Sequence, residues 1–226
     1  MQILERKAKE TAREYAFRII KYNIISLELE PGSMISEKEL AEAIGVSRTP
    51  VREALIELSK LRIVEIYPQK GSFISLIDSE LVEEVRFIRL VLEHNMVALA
   101  CEVATPEDII LLEENLRLHE FYLQQKAIDK QLQLDNKFHK LLFSICNKDF
   151  THDLLEGMMA HFDRVRSLSL STIKHTNILL DHKAILNAII KKDKVLAIDI
   201  ITSHLSRYKT DEEGLKKQYP HYFKET

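Results

Sequence analysis

The sequence predicts a mainly α protein in two parts: a small helix-and-hairpin unit, then an all-α antiparallel helical bundle. Three observations predict it. Five Gly and five Pro in 226 residues are too few for a turn-rich all-β chain. Apolar residues recur at three- and four-residue spacing along most of the length. Two short β-type runs, Val64–Tyr67 and Ser72–Ser75, lie close together and are joined by Pro68-Gln-Lys-Gly71, which reads as a hairpin. With 46% hydrophobic and 30% charged residues, the chain can build an ordinary globular core.

The elements follow in order. Residues 4–27 read as a helix, with Tyr15, Ala16, Ile19, Ile20 and Ile24 on one face, ended by Pro31-Gly32. Ser36-Glu-Lys-Glu39 is a capping box opening a short helix whose inner face is Leu40, Ala41 and Ile44. Gly45 suits the left-handed residue after it. Ser47 caps the next helix, and Pro50 falls in its first turn, where its missing N–H does no harm. The texture changes after the hairpin, which puts a boundary near Leu76–Ser79. We expect domains at 1–77 and 78–226. Amphipathic segments follow at roughly 79–103, 106–127, 128–146, 149–172, 177–191 and 193–214, with no proline between Pro106 and Pro220.

Composition excludes several classes. The net charge of −3 rules out a uniformly basic nucleic-acid coat, yet it permits a local basic surface. Residues 1–75 carry a net of +1 and the remainder −4, and Lys38, Arg48, Arg52, Arg62 and Lys70 fall close together. Cys101 and Cys146 cannot make a disulfide framework and fit a reducing cytosol. No run of about 18 apolar residues occurs, so no membrane span is expected. The first residues lack the apolar region of a signal peptide, and a cytoplasmic location is expected.

A short helix, a tight turn at Gly45-Val46, a second helix opened by Ser47-Arg48-Thr49 and a hairpin give the order of a winged helix-turn-helix. A recognition helix enters the major groove with its N-terminal residues leading, and its first-turn amides meet phosphate. Arg48 and Arg52 are four apart and share a face, and Arg bridges guanine O6 and N7. Thr49 suits a phosphate or a thymine methyl. Lys70 and Gly71, at the hairpin tip, suit the minor groove or the backbone. The stretch Pro31-Gly-Ser-Met-Ile-Ser-Glu-Lys-Glu-Leu-Ala-Glu-Ala-Ile-Gly-Val-Ser-Arg-Thr-Pro-Val-Arg-Glu-Ala-Leu55 closely resembles the signature of GntR-family bacterial transcription regulators. The resemblance implies a homodimer on a palindromic operator in double-stranded DNA, with Lys38, Arg48, Thr49, Arg52 and Gly71 at contact positions. Arg62 stands where that family usually has Gly. It must turn left-handed, at about 1–2 kcal/mol, or end the helix differently.

In the second part, Asp135 and His139 lie four apart on one helix face. His182 and His204 fall on later segments with apolar neighbours at helical spacing, so they are expected to point inward. Three imidazoles and one carboxylate suit one divalent transition metal: Zn, Ni, Mn or Fe. The segment resembles the FCD branch of the family, whose members carry an Asp-x3-His and two distant His that bind one metal. Asp135, His139, His182 and His204 match that order. Arg89 matches an arginine that faces the effector cavity of that branch. Arg164 and Arg166 cannot share a helix face, and Arg164 is taken to enter the cavity. A small organic acid is expected there, with its carboxylate on the metal and against Arg89. The competing class is a metal-dependent enzyme using the same Asp/His3 site, but no HExxH or comparable motif is present, and no enzyme activity is expected. His94, His119, His152, His161 and His175 read as surface or satisfied residues. Leu111, Leu112, Leu116 and Leu118 read as bundle or dimer core. Tyr219–Thr226 reads as a loose tail.

Overall fold

The computed structural model describes residues 1–172 and 176–225. His175 and Thr226 lie outside the described residues. The first unit runs α1 (Ala12–Ile25), β1 (Met34–Ile35), α2 (Glu37–Ile44), α3 (Arg48–Lys60), β2 (Val64–Tyr67) and β3 (Gly71–Ile74). The helical unit runs α4 (Ser79–Val103), α5 (Pro106–Gln124), α6 (Ile128–Ile145), α7 (Asp149–Met158), α8 (Ala160–Thr172), α9 (Thr176–Ile190), α10 (Lys194–Ser206) and α11 (Tyr208–Gln218), then a 3-10 turn at Pro220–Tyr222.

Local chemistry sets most boundaries. The helix expected over 4–27 begins only at Ala12, because Thr11 and Glu14 close a full capping box there. Residues before it fold back on α1 instead: Tyr15 donates its hydroxyl to the Leu4 carbonyl at 2.9 Å, and Arg18 pairs with Glu10 at 2.7 Å. Ser36 caps α2 by accepting from the Glu39 N–H. Gly45 is left-handed (φ 76°), which lets α2 turn tightly into α3. Ser47 is the N-cap of α3 by backbone geometry, without a side-chain cap bond. Arg62 does turn left-handed (φ 59°).

The sheet has the order β1-β3-β2 and is antiparallel throughout, with Val64 opposite Ile74 and Met34 opposite Phe73. The two-residue strand β1 is too short to read from alternation. Ile19, Ile20, Val51, Leu55, Leu58 and Ile74 form the core of the first unit, and one residue of α8, Ala160, belongs to it. In the helical unit α4 packs on α10, α6 and α9, and α5 on α6 and α9. Leu112 and Leu116 are core there, whereas Leu111 and Leu118 are about half exposed, at 49% and 46%.

Two expected single helices are broken. The run 149–172 divides at Met159 into α7 and α8, and 193–214 divides at Arg207 into α10 and α11. The expected loose tail is also corrected. Phe223 is 5% exposed, the Ile77 N–H donates to the Tyr222 carbonyl at 2.8 Å, and Lys224 N–H donates back to the Ile77 carbonyl at 2.9 Å. This parallel pairing, with Lys224 Nζ 3.3 Å from Asp78, ties residues 219–225 to the connection between the two units.

Candidate metal centre and nucleic-acid interface

Asp135 and His139 leave one face of α6, His182 comes from α9 and His204 from α10. Each offers a ligand atom, and those atoms all lie within 4.8 Å of one another. The site is enclosed: Asp135, His139 and His182 are buried, and His204 nearly so. Two imidazoles are turned by carboxylates behind them. His139 Nδ1 is 2.5 Å from Glu93 Oε2, which leaves Nε2 facing the cluster, and Nε2 has no hydrogen-bond partner. His204 Nδ1 lies 3.1 Å from Asp181, itself held by Arg207, so its other nitrogen is free for the cluster. This carboxylate–imidazole pattern fixes tautomer and ring orientation at metal sites. His182 stacks flat on Phe138 at 4.0 Å, and both its ring nitrogens are buried without a partner. Orphaned buried nitrogens are costly unless something accepts or coordinates them.

The electrostatics prepare neutral ligands. Burial, with the Arg89 charge behind it, pushes His139 down to about 3. Burial and the neighbouring imidazoles hold His182 well below its ordinary range, and burial also lowers His204 against the pull of Asp181. Burial works to raise Glu93, but the charge of Arg89 and the bond to His139 outweigh it and keep the carboxyl ionised. Deprotonated donors are the state a divalent ion requires.

The cationic side of the cavity differs from the expectation. Arg89 is buried and reaches the cavity, with its Nε on Glu93 Oε1 at 2.6 Å. Arg164 does not enter it. Its guanidinium is wholly buried and donates to the Ser75 carbonyl at 2.6 Å, the Leu76 carbonyl at 3.1 Å and His161 Nδ1 at 2.8 Å, all on the side of the first unit. Arg166 turns the other way. It pairs with Asp135 Oδ2 and donates to Asp163 at 2.7 Å and Asn136 at 2.6 Å. Arg89 and Arg166 both sit against the Phe162 ring, at 5.5 and 5.8 Å. The two-residue offset separates the arginines, as the sequence implies, but only the docking of the first unit on α8 decides which one goes where.

Sequence reasoning also missed His119 and His161. His119 is 3% exposed, its ring centroid 6.0 Å from that of His182, and burial with the Arg166 charge lowers it to about 4. His161 accepts from Arg164 at Nδ1, so its Nε2–H donates to the Arg62 carbonyl at 2.9 Å. Burial and the adjacent Arg164 charge lower it to about 3. The left-handed turn at Arg62 thus presents its carbonyl to α8. No spacing within the sequence signals a contact this distant.

On the first unit, Lys38, Arg48, Thr49, Arg52, Lys70 and Gly71 are all exposed. Among the described residues Arg48 and Arg52 make no ion pair, and Glu57, one candidate partner, is taken by Arg13 at 3.2 Å. Lys38 lies 3.9 Å from Glu42. Gly71 has φ 104°, and a Cβ there would come within 3.3 Å of Met34 Cε, so the wing tip requires glycine.

A larger open groove of about 670 Å³ lies elsewhere, between α1, the start of α6 and the C-terminal segment. There Tyr22 donates to Asp129 at 2.8 Å.

A three-helix unit with a small sheet and an exposed arginine pair, followed by a helical bundle with a buried Asp/His3 cluster, is the make-up of a DNA-binding regulator with a sensor domain. Residues 13–74 match the family described as Bacterial regulatory proteins, gntR family, and residues 84–207 match the FCD domain. The chain is 30% identical over 217 residues to the HTH-type transcriptional repressor RspR of Escherichia coli K12, covering 96% of this chain and 95% of that protein. It is 30% identical to the uncharacterized HTH-type transcriptional regulator YdhC of Bacillus subtilis, covering 87% and 88%. In fold it is similar to E. coli McbR/YncC, with a TM-score of 0.77 at 22% identity over 92% of this chain and 99% of that one. A putative GntR regulator from Rhodococcus gives a TM-score of 0.73 at 23% identity, over 90% and 97%. The chain therefore belongs to the GntR family of transcription regulators, in the branch with an FCD domain. No helix among the described residues is long and apolar enough to cross a membrane.

Proposed function

We propose that a homodimer of this chain binds a two-fold symmetric operator through residues 1–77, and that a metal-assisted small carboxylate effector in residues 78–226 modulates that binding. A DNA-binding regulator of this kind acts in the cytoplasm, beside the chromosome. It is a sensor and not an enzyme. The observation that carries the reading is the convergence of Asp135, His139, His182 and His204, with orphaned ring nitrogens facing inward and carboxylates orienting two of the rings. These four residues hold one divalent ion, which when bound supplies positive charge for an effector oxygen. Arg89, which lines the cavity, supplies the fixed cation for the effector carboxylate. Arg166 pairs with the Asp135 carboxylate from α8. On the DNA side, Arg48 and Arg52 read bases, Thr49 and Lys38 hold phosphate, and Lys70-Gly71 forms the wing contact.

The route between the sites runs through α8 as well as through α4. Arg166 and Asp163 of α8 adjoin the cluster, while His161 and Arg164 of the same helix grip the Arg62, Ser75 and Leu76 carbonyls. An effector shifts operator affinity only if it favours one arrangement of that joint over another.

The test combines elemental analysis with operator binding. Protein incubated with Zn, Ni or Mn and then dialysed is expected to keep about one ion per chain, and His182→Ala or Asp135→Asn to keep none. Wild type is also expected to melt at a higher temperature with the ion than after chelation. Equal metal content in wild type and His182→Ala would overturn the site, and unchanged operator affinity across a panel of mono-, di- and tricarboxylates would overturn the effector class.

A further inference from the structure

Helix α7 carries His152, Asp153 and Glu156, and their ligand atoms also lie within 4.8 Å of one another. His152 Nδ1 is 3.7 Å from Asp153 Oδ1 and 3.9 Å from Glu156 Oε2. Those separations are too long for hydrogen bonds. They are close to the spacing of two donors that share one ion: bonds of about 2.0–2.2 Å at a tetrahedral angle put donors about 3.3–3.6 Å apart. His152 is itself 9% exposed, and its Nδ1 is buried without a hydrogen-bond partner. The ring cannot swing away freely, because Phe143 packs edge-on against it at 5.4 Å. A buried imidazole nitrogen is thus fixed toward two carboxylates that it does not hydrogen-bond. The surface-or-satisfied reading of His152 does not hold.

We propose that His152 Nδ1, Asp153 and Glu156 form a second divalent-cation site, separate from the Asp135 cluster and weaker than it. One nitrogen and two carboxylate oxygens suit Zn or Mn, with water completing the shell at the exposed side. The site is weaker for two reasons. Its carboxylates are solvated, at 62% and 63% exposure, and Lys140 Nζ stands 3.9 Å from Asp153 as a competing cation. His152 and Glu156 line the same cavity of about 310 Å³ as Arg89, Glu93 and His139. An ion here adds positive charge to the lining of the cavity that Arg89 also lines, where it can meet an acidic group of a bound effector.

The experiment is calorimetric titration of the chelator-stripped full chain with Zn²⁺ alone, repeated with His152→Ala, Glu156→Gln and His182→Ala. Wild type is expected to take up about two ions in a tight and a weak phase. His152→Ala is expected to lose the weak phase and keep the tight one, while His182→Ala does the reverse. Glu156→Gln, an exposed change that leaves the fold intact, is expected to weaken the second phase roughly tenfold or more through loss of one anionic donor. Absence in wild type of any phase that His152→Ala removes, or a weak phase that survives both His152→Ala and Glu156→Gln, overturns the proposal. Failure of the central site would instead show as loss of the tight phase with the weak one retained, so the two readings fail separately.

Discussion

Lowering the pH should unfold the metal-free chain early, and the size of the effect follows from its buried imidazoles. His119 sits at about 4, and His139 and His161 at about 3, all lowered first by burial, against an ordinary 6.5. A histidine depressed in the folded state binds its proton more readily unfolded. Its contribution is therefore fully present above pH 6.5 and is lost as pH falls toward the folded value, at about 1.4 kcal/mol per pH unit for each group. Asp163 works the other way. Burial raises it to about 6 from 3.8, so between those values the folded state takes up the proton and offsets one histidine. Three groups act between pH 6.5 and 6, and a net of two below it. The loss from pH 6.5 to 5 is then about 5 kcal/mol, comparable with the whole stability of many domains. His182 and His204 are lowered too and add to it. Urea titrations at pH 7.5, 6 and 5 measure this directly. His161→Gln, outside the metal cluster, should flatten the slope by about 1.4 kcal/mol per pH unit. A wild-type midpoint unchanged between pH 7.5 and 5, or a His161→Gln slope equal to that of wild type, would refute the assignment of buried neutral imidazoles.

Three further outcomes are expected. Arg48→Ala should cost about 1–3 kcal/mol of operator binding and relax preference at one base pair, read by gel shift on a randomised half-site; retention of wild-type affinity by an Arg48→Ala, Arg52→Ala double variant would sink the DNA assignment. Lys38→Ala should weaken all sequences alike and lower the salt slope by about one. Arg164→Met should preserve both DNA binding and metal binding but sever their linkage, since it removes the donors to the Ser75 and Leu76 carbonyls and to His161 Nδ1 and touches neither the cluster nor the recognition helix; an unaltered effector response in that variant would remove α8 from the route.

Much of this architecture is local and was therefore legible. Asp78 accepts from the N–H groups of Glu80 and Leu81 and opens α4 at the expected Ser79, and Thr105 with Asp108 opens α5 before Pro106. Spacing made Asp135 and His139 share a helix face and apolar neighbours turned His182 and His204 inward, but it was the resemblance to the FCD branch that grouped the four as one ligand set. What the sequence hid is whatever depends on the other unit. The end of α7 has only Gly157 as a local hint, while α8 begins where Ala160 enters the core of the first unit. The exchange of roles between Arg164 and Arg166, and the burial of His161, follow from that same docking. Glu93 is a charged residue on a predicted core face, which a periodicity reading treats as an exception rather than as a support for His139.

The pairing of residues 222–224 with Ile77 sets an order of assembly. Lys224 and Asp78 are separated by 146 positions, so this contact closes a loop containing the entire sensor. Closing so long a loop is entropically unfavourable until the intervening chain has collapsed. The reading head can fold early from its own short-range contacts, but its orientation is inherited from a sensor that has already folded. A chimera that grafts residues 1–77 onto a foreign sensor would carry a sound head on an unanchored neck, unless the segment around Phe223 and the α8 residues His161 and Arg164 were transplanted with it.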